Sequence, residues 1–130
     1  MEDTIFTKII KREIPAEIIY EDEYVVVIPD RFPSMEGQTV VITKQQAPYL
    51  FDLDDATYRA LMDATKKVAN ALDKAFNTVR TCIIVEGFEV PHVHIRLYPC
   101  KTATLTLSPR RQASDEELKA VAERIRASLD

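Results

Sequence analysis

The sequence is short of several residue types, and each shortage excludes something. Gly37 and Gly87 are its two glycines among 130 residues. Loops built on glycine flexibility are therefore few. Cys82 and Cys100 are its two cysteines, too few for a disulfide framework and in no metal-binding spacing. They read as reduced thiols of a cytoplasmic protein. No run approaches the roughly 18 apolar residues that span a bilayer. The start, MEDTIFTKII, lacks the basic-then-apolar order of a signal peptide. There is no positive excess either: the net charge is −4 and the pI about 5.2. That excludes bulk attraction to nucleic acid or to an anionic membrane, but leaves room for a local basic pocket that takes a small anion. Finally, there are two histidines, and they stand two apart, within PHVHIRLYP (91–99).

What is present suits one domain over residues 1–130. Hydrophobic residues make up 46% and charged ones 29%, an ordinary balance for a chain that buries a core. Ile5, Phe6, Ile9 and Ile10 predict a short helix over 4–12, stopped by Pro15. IIYED (18–22), YVVVIP (24–29) and QTVVIT (38–43) read as strands. Asp54 or Asp55 caps a long helix with Tyr58, Leu61, Met62, Thr65, Val68, Ala69, Leu72 and Phe76 on one face. RTCIIVE (80–86) is a fourth strand and the histidine segment a fifth. TATLTL (102–107) alternates as a half-exposed strand does. Ser114 opens a last helix that buries Leu118, Val121, Ala122, Ile125 and Leu129. Short links between strands predict an antiparallel sheet of about five strands, hence an α+β fold with one long helix, a short N-terminal helix and a C-terminal helix.

On a strand, Val93, Ile95 and Leu97 point to one face, while His92, His94 and Arg96 form a row on the other. Three readings use that row. It is a solvated surface; or the two imidazoles share a metal ion with Glu86 or Glu89; or it is an anion site. Arg96 beside the pair works against a cation. For an anion it offers a permanent charge that grips phosphate, and it favours a neutral imidazole able to act as nucleophile.

HVHIRLYP resembles the signature of the histidine-triad (HIT) nucleotide-binding family, His-x-His-x-His with apolar residues between, except that Arg96 takes the third place. TIFTKIIKREIPAEIIYEDE (4–23) is similar to the family's opening segment, and VIPDRFPSMEGQTVVITK (27–44) to its aspartate loop and following strand. The likeness covers roughly residues 4–99 and leaves 100–130 as an extension with a strand and a helix. It implies a HIT-like α+β fold and a homodimer sharing a central sheet. It also implies binding of purine nucleoside monophosphates or their derivatives, and a phosphoramidase-like hydrolase that works through a nucleotidyl-histidine intermediate. By position His94 is the nucleophile, His92 orients it, and Arg96 stabilises phosphate charge. Asp30 holds the ribose. Phe6, Ile14 and Ile28 wall the base, and Gly87 lies in the phosphate loop.

Departures from the family pattern point to the alternative of a nucleotide-binding module without turnover. Arg96 replaces a histidine, although a nucleotidyl-transferase branch of the same superfamily has glutamine there. The loop before His92 is cut to Glu86-Gly87-Phe88-Glu89-Val90-Pro91 and lacks the usual Gly-Gln-Ser groups. A family asparagine falls at Val85. Thr4, Thr7 and Gln46 stand where many members carry zinc ligands, so neither a metal nor another cofactor is expected. Arg31 replaces an apolar residue, and the roles of Arg110 and Arg111 are open.

Overall fold

The computed structural model describes residues 2–130. Five strands form one antiparallel sheet in the order β1-β2-β3-β5-β4. They are β1 (Tyr20–Glu21), β2 (Val25–Pro29), β3 (Thr39–Thr43), β4 (Arg80–Ile84) and β5 (His94–Cys100). The helices are α1 (Ile5–Ile10), α2 (Asp55–Phe76) and α3 (Asp115–Arg126). Among the described residues no helix is long and apolar enough to cross a membrane.

The sheet is covered on both faces. Val25, Val27, Val41, Ile95 and Leu97 share a core with Leu61, Val68, Leu72 and Phe76 of α2 and with Ala122 and Ile125 of α3. Val26, Ile28, Val40 and Ile42 lie beneath Phe6 and Ile9 of α1. This double cover explains why VVVIP and TVVIT are apolar without alternation: β2, β3 and β5 are buried at every position. The register sets Ile42 beside His94 and Val40 beside Arg96.

Local chemistry fixes the helix ends. Thr4 caps α1 by accepting from the Thr7 amide, Asp54 caps α2 through Thr57, and Ser114 caps α3 through Glu117. α1 ends before Pro15, because Arg12 takes a left-handed φ of 64°. Its Ile5 faces solvent, not the shared apolar face expected. On α2 the buried stripe includes Thr57, Ala64 and Ala71, and Tyr58 is half-exposed, a small rotation from the expected face. α3 buries Ala122 and Ile125 fully, and Leu118, Val121 and Leu129 only in part. Gly37 is obligatory: its φ is 85°, and an added Cβ would stand 2.7 Å from the Phe76 ring.

The expected strand at 102–107, and with it the C-terminal strand of the extension, is a correction: this segment forms no strand. β5 already has β3 and β4 on its two edges, so the chain leaving it finds no ladder there. Leu105 and Leu107 stay 41% and 47% exposed. The segment runs instead along the loop after β2. Ser34 donates to the Thr106 carbonyl, the Arg111 amide to the Pro33 carbonyl, and the Ala113 amide to the Arg31 carbonyl.

Candidate active site

Strand alternation holds along the histidine segment. Val93, Ile95 and Leu97 enter the α2 core, while His94 and Arg96 face the α1 side. His92 stands just before β5, in a bend. The row is not a solvated surface: His92 is 0%, His94 1% and Arg96 9% exposed. α1 provides the cover, with the Phe6 ring edge-on to His94 at 4.8 Å and to His92 at 5.7 Å.

Hydrogen bonding assigns both imidazole tautomers. His94 Nδ1 lies 2.6 Å from the His92 carbonyl oxygen. A carbonyl can only accept, so Nδ1 carries the proton. Nε2 is then a free lone pair, and it is buried without a hydrogen-bond partner. Burial pushes the pKa of His94 down; the bond to His92 opposes this, Arg96 adds to it, and Glu86 and Asp30 oppose it, with a lowered value as the net result. The ring is therefore neutral near pH 7.

His92 has the opposite tautomer. Its Nε2 donates to the Thr43 carbonyl at 2.7 Å, so its Nδ1 accepts from Thr4 Oγ1 at 2.6 Å. Burial, partly offset by the Thr43 bond and reinforced by His94, lowers its pKa too. Behind Thr4, the Thr7 hydroxyl and the Thr4 amide donate to Gln46 Oε1 at 2.5 and 3.2 Å. Thr4, Thr7, Gln46 and His92 thus do meet in space. Two hydroxyls, an amide and one imidazole already committed to hydrogen bonds do not fit zinc. Among the described residues no group of three or more His, Cys, Asp or Glu is placed to hold a metal ion.

Arg96 lies between two carboxylates. Its Nε is 3.4 Å from Asp30 Oδ2 and its Nη1 3.5 Å from Glu86 Oε1. Asp30 directly follows β2 and is held at the row by the Phe32 amide at 2.9 Å and by Gln38 Nε2 at 2.7 Å. Burial alone would raise the pKa of Glu86, but the Phe88 and Glu89 amides and the charges of His94 and Arg96 bring it below the ordinary carboxylate value. Beside Arg96 opens a cavity of about 220 Å³ whose walls include Gln38, Glu86, Glu89, Tyr98 and Arg110. Arg110 comes from the C-terminal segment. It donates to the Phe32 carbonyl at 2.9 Å and meets both oxygens of Glu89 at 3.2 Å.

Of the other site residues expected from the sequence, Phe6 and Ile28 are buried in one cluster, and Ile14 packs on its border. Gly87 lies in the loop before His92. Its φ of 76° turns the loop, and a Cβ there would face the Pro48 carbonyl at 3.3 Å. Arg31 bonds the Ala113 carbonyl and Asp115, which ties down the C-terminal segment. Arg111 pairs with Glu117. Sequence reasoning misses Gln38 and Tyr98 and leaves the role of Arg110 open. Tyr98 had a signal, since it continues the alternation of His94 and Arg96; Gln38 depends on the turn that returns it to Asp30, and Arg110 on contacts distant in sequence.

Comparison with known proteins agrees with this fold. A HIT domain model matches residues 11–103. An uncharacterized HIT-like protein of Methanocaldococcus jannaschii is 35% identical over 99 residues, covering 73% of this chain and 77% of the relative. An adenosine 5′-monophosphoramidase of Schizosaccharomyces pombe is 28% identical over 129 residues, covering 96% and 97%. The crystal structure of a Hit-like protein from Bartonella henselae superposes with a TM-score of 0.91 at 30% identity, covering 98% of this chain and 96% of that one.

Proposed function

This chain belongs to the HIT family, and from that premise we propose that it is a nucleotide-binding hydrolase or transferase. It acts on the α-phosphate of purine nucleoside monophosphate derivatives through a nucleotidyl-His94 intermediate. One observation carries the proposal: a neutral imidazole whose unprotonated Nε2 is buried and unpaired while its other nitrogen is fixed at 2.6 Å on the His92 carbonyl. An unsatisfied buried acceptor costs on the order of 1–3 kcal/mol, and a site that forms a bond at that atom gives it a use.

In this reading the base rests against Phe6, Ile14 and Ile28. Asp30 keeps lone pairs free for ribose hydroxyls beyond those used by Gln38 and Phe32. The Nε2 pair attacks the α-phosphorus. The Nδ1–H bond to the His92 carbonyl stabilises the positive ring that results. Arg96 faces the phosphate charge, and Gly87 allows the short loop to turn towards it. Water then releases the monophosphate. The partner would be a second copy of the chain: β4 has β5 on one edge and, among the described residues, no strand on the other, with Ile83 and Val85 exposed there. A cytoplasmic location is in keeping with a chain whose two cysteines are too few for a disulfide framework.

A second reading, nucleotide binding without turnover, is favoured by the placement of Arg96 between two carboxylates. Steady-state hydrolysis of a 4-nitrophenyl ester of AMP separates the two. The catalytic reading expects turnover in the wild type and a loss of about three orders of magnitude in His94→Ala. AMP binding with no turnover in either protein would establish the second.

A further inference from the structure

The cavity beside Arg96 lies on the Tyr98 side of the row, away from the Phe6 wall over His94. In the nucleophilic reading of His94, the leaving group of a nucleoside seated on that wall departs on the Arg96 side, where this cavity opens, and the groups lining the cavity are poor proton donors. Arg96 and Arg110 keep their protons at any working pH. Glu86 is held ionised by the Phe88 and Glu89 amides, and Glu89 accepts both contacts from Arg110. Tyr98 is a phenol that burial makes less acidic. Neither histidine can help: the single ring proton of His94 is bound to the His92 carbonyl and that of His92 to the Thr43 carbonyl. Beside the carboxylates of Glu86 and Glu89, the cavity offers the guanidinium groups of Arg96 and Arg110, which can meet a departing anion but cannot protonate it.

We propose that Arg96, with Arg110, selects substrates whose leaving group departs as a stable oxyanion, such as a phosphate or carboxylate in anhydride linkage to the nucleotide, against phosphoramidates of basic amines. This rests on the nucleophilic reading of His94. The Nε2 electron pair forms the bond to phosphorus, and the P–O bond breaks with its pair remaining on the leaving oxygen. No proton accompanies that oxygen; the two guanidinium groups hold its charge. In the second half, water attacks phosphorus, the P–N bond returns its pair to Nε2, and one water proton passes to solvent. An amine leaving group requires a proton as the P–N bond breaks. A histidine at position 96 can supply one at neutral pH, whereas an arginine cannot.

The test is a single-turnover series on the full chain with phenyl and 4-nitrophenyl esters of AMP, acetyl adenylate, ADP and adenosine 5′-phosphoramidate, following adduct and AMP. The expected result is a steep rise in rate from phenyl to 4-nitrophenyl. The phosphoramidate should be at least about a hundredfold slower than the nitrophenyl ester, the scale of a missing general acid. Turnover of acetyl adenylate or ADP supports the proposal, and the faster of them says whether the natural anion is a carboxylate or a phosphate. In Arg96→His the gap between phosphoramidate and nitrophenyl ester should narrow at least about tenfold. Phosphoramidate and nitrophenyl ester cleaved within about threefold of each other by the wild type would overturn the selectivity while leaving His94 as nucleophile. No His94-dependent adduct with any probe would overturn both.

Discussion

The backbone oxygen of His92 holds the ring of His94. At 2.6 Å from Nδ1 it fixes the tautomer and leaves Nε2 as the free nitrogen. His92 is itself anchored at both ring nitrogens, to Thr43 and Thr4. The N-terminal cap of α1 is thereby connected to His94, the proposed nucleophile, two residues beyond His92.

Thr4 has two tasks: it caps α1 and donates to the buried Nδ1 of His92. Thr4→Ala loses a cap and leaves a buried acceptor unpaired. Together these cost about 2 kcal/mol, and Thr4→Ser restores most of it. Urea unfolding of the three proteins measures this. Equal stability of Thr4→Ala and wild type would contradict the anchoring.

Both histidines are neutral in the fold, with pKa values below the ordinary 6.5. The unfolded chain therefore binds more protons than the folded one as pH falls through about 6.5. Stability contributed by the neutral rings is present above that pH and is lost as pH drops towards the lower folded-state values. Unfolding free energy measured from pH 8 to pH 5 should decline, with a smaller decline in His92→Gln.

Arg96 is the buried cation between Asp30 and Glu86. Arg96→Met leaves two carboxylates facing each other without it and costs roughly 3 kcal/mol. Arg96→Met combined with Glu86→Gln recovers part of that loss. A double-mutant cycle by chemical denaturation gives the coupling.

Arg110 and Glu89 form an exposed pair. Arg110→Ala changes stability by no more than about 0.5 kcal/mol. It also frees the charge of Glu89 at the cavity wall, so AMP binding weakens, and does so less in high salt. Calorimetry at two ionic strengths checks both directions.

Much of this was legible in the sequence. β2, β3 and the two longer helices follow from apolar patterning and caps that act within a few residues, and alternation placed His94 and Arg96 on one face. TATLTL misled, because alternation says which face a strand would bury but not whether a neighbouring edge is free. Burial of the histidine row was also not legible: α1 covers it through contacts such as Thr4 to His92, 88 residues apart. Gln38 was hidden by the turn that returns it to Asp30, and Arg110 by its distance in sequence from Phe32. The charge of Glu89 is met by Arg110, a contact no local pattern reveals. Thr4, Thr7 and Gln46 could be assigned to one cluster by resemblance, but their hydrogen bonds to His92 required the fold.

The most direct measurement is peptide mapping of protein quenched during reaction with the 4-nitrophenyl ester of AMP. A nucleotidyl group located on His94, and missing from His94→Ala, is the predicted result. A nucleotidyl group on another residue, or AMP release by His94→Ala at the wild-type rate, would contradict the account.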